Sequence, residues 1–198
     1  MEENNFFVLP SKIPKTFNWS NYIFVEKLFM PYTSNVAKLI GVRENNKRYI
    51  QIYIDEYSNH KTMHVTEQEF KLLTWCGGKK VQKKVYEYVL QSYKILINFY
   101  EISLSGLVTI EVNKEYINKI KKLLSIFKPI YIKDSDQYIF SDAYLSGQIY
   151  SDLENILKKY KYAKHVYPNI QQSFMNNILQ SREQQKQTKT ETKELKTK

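Results

Sequence analysis

The chain is short of cysteine, glycine and proline: its 198 residues contain one cysteine, five glycines and five prolines. A single cysteine excludes a disulfide within the chain and favours a reduced, intracellular setting. A chain of this length can bury a sizeable core, so it needs neither disulfides nor a metal for stability. No stretch approaches the roughly 18 apolar residues of a membrane span, and the N-terminal residues lack the pattern of a secretory signal.

Arginine is also scarce, because only three of the 30 basic residues are arginine: Arg43, Arg48 and Arg182. The net charge of +10 favours an anionic partner. The abundance of lysine, asparagine, isoleucine and tyrosine is typical of an AT-rich genome, which offers a second explanation for the charge. The placement of the basic residues therefore carries more weight than their number.

The motifs of common enzyme classes are absent from the sequence. It contains no phosphate-binding loop, no Gly-x-Gly-x-x-Gly, no His-Glu-x-x-His and no Gly-x-Ser-x-Gly. Its histidines are not at metal-ligand spacing with Cys76. Asp134, Asp136 and Asp142 are compatible with a cation or nuclease site, but turn formation explains the first two better. The sequence therefore predicts a protein that is not an enzyme, with no metal and no cofactor.

Two stretches about 45 residues apart follow one pattern, which indicates a duplicated structural unit. In both, apolar residues alternate as in a half-buried strand, and a helix start follows. With one residue inserted, Glu69-Phe70 aligns with Glu115-Tyr116. The aligned strand residues are Ile50, Ile52, Ile54 and Glu56 in the first stretch and Ile95, Ile97, Phe99 and Glu101 in the second.

Each unit is predicted to contain strands followed by a helix. Thr66 and Glu69 have the spacing of a capping box at the start of the first helix. In the second helix, Ile117, Ile120, Leu124 and Phe127 recur at the spacing of an amphipathic face. The predicted strands are 39–42, 49–57 and 63–65 in the first unit, 37–78, and 85–90, 94–100 and 107–112 in the second, 79–128. Residues 79–84 are predicted to link the two units.

The remaining segments complete the predicted architecture. Residues 1–36 are predicted to form an N-terminal arm, with either a strand or a helix near Tyr22–Phe29. Residues 129–180 are predicted as a C-terminal extension, with a hairpin at 130–140 and a helix opened by Ser151 and Glu154. The polar composition of 181–198 predicts disorder. The predicted fold class is α+β: two tandem antiparallel ββββα units that form a pseudo-dimer, with a C-terminal helical extension.

A strand-turn-strand-turn-strand-helix unit with Val42-Arg43-Glu44 at its first hairpin resembles the transcriptional coactivator family called positive cofactor four. Two such units in one chain resemble the Whirly arrangement, in which paired ββββα units share one body. The resemblance implies binding of single-stranded or unwound DNA on the exposed face of the sheet. The other matching residues are Ile50 to Ile54, Glu56-Tyr57, Lys61, Val65-Thr66 and Glu69-Phe70.

Physical reasoning favours the same role for the strand at 49–57. Tyr49, Gln51 and Tyr53 share one of its faces, and aromatic rings can stack on bases without reading their sequence. Neighbouring lysines and arginines can neutralise phosphates. The alternative is that these tyrosines pack beneath the arm or against a second subunit. The predicted nucleic-acid-binding residues are Arg43, Lys47, Arg48, Tyr49, Gln51, Tyr53, Lys61, Lys79, Lys80, Lys83, Lys84 and Lys94.

The sequence therefore predicts a nucleic-acid-binding protein that acts in replication or transcription. Single-stranded DNA is the favoured partner, RNA is left open, and the composition points to a large DNA virus. The alternative is a structural or scaffold protein that uses the duplicated fold for oligomeric assembly. A homo-oligomer and transcription or replication proteins are further partners left open, and no membrane is expected. The expected location is intracellular, in the nucleus or a cytoplasmic virus factory.

Overall fold

The computed structural model describes residues 3–7, 13, 21–31, 38–53, 60–162 and 164, all within one compact unit that spans Met1–His165. The strands are β1 (Glu3–Phe7), β2 (Ile23–Phe29), β3 (Lys38–Glu44), β4 (Lys47–Tyr53), β5 (His60–His64), β6 (Lys79–Leu90), β7 (Tyr93–Tyr100), β8 (Val108–Asn113) and β9 (Ile130–Tyr131). The helices are α1 (Glu67–Trp75), α2 (Ile117–Leu124), α3 (Asp142–Leu145) and α4 (Tyr150–Lys159), with 3₁₀ helices at Ile102–Leu104, Lys114–Tyr116, Ser125–Phe127 and Asp134–Phe140.

The described strands form a single antiparallel sheet in the order β5-β4-β3-β2-β6-β7-β8-β1-β9. The prediction of two tandem ββββα units is therefore wrong. β2 and β6 pair side by side, from Ile23 opposite Val85 to Phe29 opposite Lys79, so the two halves are one continuous sheet. The second half has only three consecutive strands, and β1 from the predicted arm takes the next place, beside β8. Local alternation predicts strands but not which distant strands will pair.

The segment near Tyr22–Phe29, predicted as either a strand or a helix, contains the strand β2. Other local predictions need correction. The predicted linker 79–84 is the first half of β6. The predicted hairpin at 130–140 does not form, because β9 pairs with β1 and Asp134–Phe140 is a 3₁₀ helix. The last described helix begins at Tyr150, earlier than Ser151 and Glu154 predict. Ile54 and the predicted tail, 181–198, lie outside the described residues.

One face of the sheet, here called the outer face, carries the helices predicted for the two units, α1 and α2. Thr66 and Glu69 form the predicted capping box of α1, with Glu69 N donating to Thr66 Oγ1 at 3.3 Å and Thr66 N donating to Glu69 Oε2 at 2.7 Å. Phe70 of α1 is fully buried beside Gly41 of β3. A Cβ atom at Gly41 would lie 3.1 Å from Leu73 Cδ1, so glycine permits the close approach of α1.

The second helix covers the outer face of β6, β7 and β8. Ile120, Leu124 and Phe127 are fully buried, as the predicted apolar face requires. The ring of Phe127 contacts the ring of Tyr88 edge-on, with centroids 5.5 Å apart. Tyr88 pairs with Ile95, which is fully buried together with its strand neighbours Ile97 and Phe99. Ile50 and Ile52, their predicted counterparts on β4, are only half-buried.

The opposite face, here called the concave face, is partly covered by the C-terminal segment. Residues from 132 to 162 form an apolar cluster on this face with side chains of β6 and β7 and of the turn before β8. The buried members of this cluster are Val81, Tyr100, Leu104, Leu107, Ile132, Ile139, Phe140, Leu145, Leu153, Leu157 and Tyr162. This cluster attaches α3 and α4 to the sheet and leaves the rest of the concave face for polar side chains.

The concave face is strongly curved. β4 and β8 are five places apart in the sheet, which would separate them by about 24 Å if the sheet were flat. Gln51 and Tyr53 of β4 nevertheless line the same cavity as Glu111 of β8. The sheet therefore bends around this cavity, as the right-handed twist of antiparallel sheets allows.

Tyr162 anchors the end of the C-terminal segment, and we expect its hydroxyl to matter for stability. This hydroxyl accepts from Val108 N at 2.9 Å and donates to Gly106 O at 2.8 Å. Replacing Tyr162 by phenylalanine leaves both buried backbone groups without that partner, at an expected cost of about 1–3 kcal/mol in the free energy of unfolding. Urea denaturation measures the difference. Tyr144→Phe, at a half-exposed tyrosine of α3, is the control and should change stability far less.

In the described part of the chain, no helix has the length and apolar character needed to cross a membrane.

Candidate active site

The curved sheet and α3 line an open cavity of about 310 Å³. Strands β2, β3, β4 and β8 supply one wall, and the start of α3 supplies the other. Its lining residues are Lys27, Phe29, Ile40, Gln51, Tyr53, Glu111, Ser141, Asp142 and Ala143. Charged groups lie at one end and aromatic and apolar groups at the other.

Asp142 lies at the centre of the charged end. Its Oδ2 is 2.7 Å from Lys27 Nζ, and its Oδ1 is 2.9 Å from Lys83 Nζ. The Tyr100 hydroxyl donates to the same Oδ1 at 3.2 Å. Lys83 also contacts Glu111 Oε1 at 3.2 Å. Two ammonium groups and two carboxylates therefore share one network, whose local charge sums to zero.

The side chains of this network are mostly buried, so burial and the charges of their neighbours shift their pKa values strongly. Burial alone would raise the pKa of the Asp142 carboxyl, but Lys83 and Lys27 hold that pKa well below its usual range. Burial alone would lower the pKa of the Lys83 ammonium, but the negative charges of Asp142 and Glu111 hold it well above its usual range. Burial raises the pKa of the Tyr100 hydroxyl, which therefore stays protonated as a donor. Asp142 is charged and Lys83 is charged throughout the physiological pH range.

The local sequence explains why these side chains converge. Val25 of β2 pairs with Lys83 of β6, and alternation places Lys27 on the same face one step along β2. Ser141 caps α3, since Tyr144 N donates to Ser141 Oγ at 3.4 Å. Asp142 is therefore the first residue of a short helix that its buried Leu145 holds against the sheet.

The other end of the cavity is a row of cross-strand neighbours. Phe29 of β2 pairs with Ile40 of β3, and Ile40 pairs with Gln51 of β4. Tyr53 lies on the same face as Gln51, and its hydroxyl donates to Gln51 Oε1 at 3.3 Å. Because Gln51 Oε1 accepts this hydrogen bond, the amide NH₂ of Gln51 remains as a donor.

The residues predicted to bind nucleic acid are divided between the two faces of the sheet. The prediction that Tyr49, Gln51 and Tyr53 share a face is confirmed, because β4 alternates as expected. That face is the concave one. By register it also carries Lys47, Lys79, Lys83 and Lys94, whereas Arg43, Arg48, Lys61, Lys80 and Lys84 belong to the outer face.

Many of these basic side chains are engaged within the protein. On the outer face, Arg43 contacts Glu26 at 3.5 Å and Glu67 at 3.3 Å, and its guanidinium lies 4.8 Å from the centre of the Phe70 ring. Arg48 also pairs with Glu67, so the two arginines fasten α1 to the sheet.

Strand lysines follow the same pattern. Lys80 pairs with Glu26 at 3.7 Å, Lys84 with Glu101 at 2.8 Å, and Lys94 with Glu87. Lys79 lies beside Gly147, while Lys47 and Lys61 are exposed. Burial and a hydrogen bond to Glu44 raise the pKa of Tyr49. Of the twelve predicted residues, Gln51 and Tyr53 line the cavity, and Lys83 joins its charged network.

Sequence reasoning missed Lys27, Glu111 and Tyr100, and it considered Asp142 only as part of a cation or nuclease site. A usable signal was present in the strands. Lys27, next to Glu26, interrupts the apolar run Ile23–Phe29, and Glu111 interrupts Val108–Val112. A charged residue in a mostly buried strand pays a desolvation cost that only a partner or a ligand offsets, so such interruptions indicate either a structural ion pair, as at Glu26, or a site.

Among the described residues, no group of three or more His, Cys, Asp or Glu side chains is arranged to hold a metal ion. Glu111 and Asp142 are the two carboxylates that line the cavity.

No known family's sequence profile matches the chain. No curated protein matches it significantly in sequence. Two solved structures share its architecture: "the hypothetical protein NE1496" and "the inorganic triphosphatase NE1496", each with a TM-score of 0.55 and 12% identity. They cover 75% of this chain and 98% and 99% of their own. The chain has the fold of NE1496. A conserved hypothetical protein from Pyrococcus furiosus has a TM-score of 0.43 and 20% identity, covering 68% of this chain and 92% of its own.

This likeness corrects the predicted function. NE1496 is an inorganic triphosphatase, so the fold is one that serves an enzyme, and the predictions of a coactivator-like DNA-binding protein and of a non-enzyme are wrong. The enzyme motifs that the sequence lacks are mostly loop motifs. Here the charged groups are spread along strands of one curved sheet, so no short motif reveals them. The resemblance to positive cofactor four stays a prediction, but the tandem fold that it implied is wrong.

Proposed function

We propose that the protein hydrolyses a triphosphate, with Lys27 and Lys83 binding oxygens of the phosphate that is transferred to water. The observation that carries this proposal is the convergence of both ammonium groups on Asp142, a carboxylate that lines the cavity together with Lys27. The fold shared with an inorganic triphosphatase supports it. The +10 charge that favours an anionic partner is consistent with a triphosphate in that role.

The two lysines suit a phosphate chain. A lysine ammonium binds phosphate as a compact point charge. Lys83 is almost fully buried and Lys27 is one-third exposed, so a phosphate at this end meets one cation in the protein and one at its surface. Attraction between charges strengthens as water is excluded.

The reaction follows from that placement. A water oxygen attacks the terminal phosphorus, the bond from that phosphorus to its bridging oxygen breaks, and orthophosphate and pyrophosphate leave. Lys27 and Lys83 stabilise the charge that develops on the phosphate oxygens. The depressed pKa of Asp142 makes it a weak base. Glu111, the second cavity carboxylate, is the group that we assign to orient the attacking water.

A divalent cation fits the donor set of this cavity. Mg²⁺ is commonly held by one or two carboxylates together with the phosphates of the substrate. Glu111 and Asp142 supply such a pair of carboxylates, and would hold the ion only when a phosphate chain completes the site. The ion would neutralise phosphate charge and polarise a phosphoryl oxygen.

The aromatic end of the cavity bears on substrate size. Phe29, Ile40 and Tyr53 offer little to a strongly hydrated phosphate chain, so they leave room for an organic group attached to it. The single cysteine favours a reduced, intracellular setting.

Phosphate release from inorganic triphosphate tests the proposal. We expect the purified protein to release orthophosphate in the presence of Mg²⁺ or Mn²⁺. Lys27→Ala should lower kcat/KM by about 100-fold or more, because one of two cationic contacts to the transition state is lost. Lys71→Ala is the matched control, since Lys71 is an exposed lysine of α1 that pairs with Glu67. Absence of release with every cation, or equal loss in both variants, would rule the proposed site out.

A further inference from the structure

Charge balance in the cavity conflicts with binding of a bare polyanion. Lys27 and Lys83 are matched by Asp142 and Glu111, so the network is neutral before substrate arrives. A triphosphate brings several negative charges. Moreover, both oxygens of Asp142 already hold the two ammonium groups that a phosphate needs.

Each way of admitting a phosphate alone is costly. If the phosphate takes both lysines, the Asp142 carboxylate keeps the Tyr100 hydroxyl but loses its cations in a site where only 10% of its side chain is exposed. A buried charge without its partner is strongly destabilising. If Asp142 keeps the lysines, the phosphate instead lies against a carboxylate of like charge. A divalent cation that enters with the phosphate removes both costs.

We propose that Asp142 couples triphosphate binding to divalent-cation binding, by exchanging Lys27 and Lys83 for the cation of the incoming complex. This inference rests on the proposed function and adds a reason for its cation requirement. The site thereby admits the cation complex of the substrate and discriminates against the free polyanion.

The exchange requires no movement of the helix that carries Asp142. Asp142 lines the cavity although it is largely buried, so its carboxylate can contact both the lysines and a ligand. Leu145 and the Ser141 cap hold α3 in place, and the Tyr100 hydroxyl orients one carboxylate oxygen. Only the partners of the carboxylate change.

Replacing Asp142 by asparagine should therefore move two affinities in opposite directions. Without the carboxylate, Lys27 loses its partner, Lys83 keeps only Glu111, and the site gains one positive charge, so metal-free triphosphate should bind about tenfold more tightly. The magnesium complex should bind about tenfold more weakly, because one cation ligand is lost. Coupling between two ligands of a protein typically lies between about 5- and 150-fold, and these shifts fall in that range.

Isothermal titration with inorganic tripolyphosphate, in EDTA and in excess Mg²⁺, measures these affinities directly. The proteins compared are the wild type, Asp142→Asn and Asp142→Glu, each first shown by its melting curve to be folded. We expect the wild type to bind at least tenfold more tightly with Mg²⁺ than with EDTA. Asp142→Glu, which keeps the charge, should retain this preference, whereas Asp142→Asn should lose most of it.

The possible outcomes separate this inference from the proposed function. If Asp142→Asn weakens or strengthens both affinities together, or leaves the metal-free affinity unchanged, the exchange is wrong although the binding site stands. Equal wild-type affinities with and without Mg²⁺ would also overturn the exchange, even if the asparagine variant does not fold. If the wild type binds no tripolyphosphate in either buffer and releases no phosphate, the proposed function itself fails.

Discussion

Replacing Lys83 by methionine is expected to reduce triphosphate hydrolysis strongly and to lower the free energy of unfolding by about 3–5 kcal/mol. Lys83 is buried between Asp142 and Glu111, at 2.9 Å and 3.2 Å. Its removal leaves two carboxylates in the protein interior with Lys27 as the remaining ammonium of the network. The same change removes a cation from the proposed phosphate site, at an expected cost of about 100- to 1000-fold in kcat.

A comparison with Lys27 separates the two effects of this change. Lys27→Met should reduce activity similarly but lower stability by less than about 1 kcal/mol, because its side chain is one-third exposed and its pairing is screened by solvent. Urea denaturation at neutral pH measures stability, and phosphate release measures activity. Adding Asp142→Asn to Lys83→Met should recover part of the lost stability, since the cost arises from an unpaired carboxylate. A Lys83→Met protein as stable as the wild type would show that the network is not a buried ion cluster.

Acid is expected to destabilise the protein through Asp142. The pKa of this carboxyl is depressed in the folded protein and near 3.9 in an unfolded chain. Its stabilising contribution is therefore fully present above about pH 5 and is lost as the pH falls through the unfolded value toward the folded one. For a carboxyl of this kind the contribution is on the order of 2–3 kcal/mol.

Denaturation in urea at a series of pH values between 7 and 2 measures this loss. Asp142→Asn should begin less stable at neutral pH and then show a shallower decline below pH 5, because asparagine does not titrate. Asp136→Asn is the matched control. Asp136 also has a lowered pKa, from hydrogen bonds with Tyr160 and Lys159, but its one cationic partner is an exposed lysine, so its removal should flatten the decline less than removal of Asp142. Parallel curves for the wild type and Asp142→Asn would contradict the assigned ion pairs.

The secondary structure was largely predictable, and its assembly was not. Some features depend only on neighbours within a few residues, so the sequence alone predicts them. Examples are the alternation of Ile95, Ile97 and Phe99 and the capping box at Thr66. The pairing of β2 with β6 and of β1 with β8 joins strands far apart in the chain. The local pattern of a strand does not say which edges meet.

The site, too, was predictable only where it depends on residues that are close in the sequence. The common face of Gln51 and Tyr53 was predictable, because alternation along one strand determines it. Its function was not, since a flat exposed face and the wall of a cavity have the same local pattern. Lys83 was predicted as a surface phosphate contact, but the segment carrying Asp142, 59 residues later, covers it. Only the three-dimensional arrangement reveals the paired lysines and carboxylates.

The position of β1 in the sheet also sets the order in which the chain can fold. Its residues Glu3 to Phe7 lie between β8 and β9, and Phe7 pairs with Thr109, about 100 residues later. At a synthesis rate of roughly 5–20 residues per second, β1 waits on the order of 5–20 s on the ribosome for that partner. Contacts between residues that are far apart in the sequence form late and slow the folding of β-rich domains. β1 is therefore synthesised long before β8 but pairs with it only late in folding. When it pairs, it covers the free edge of β8, the strand that carries Glu111.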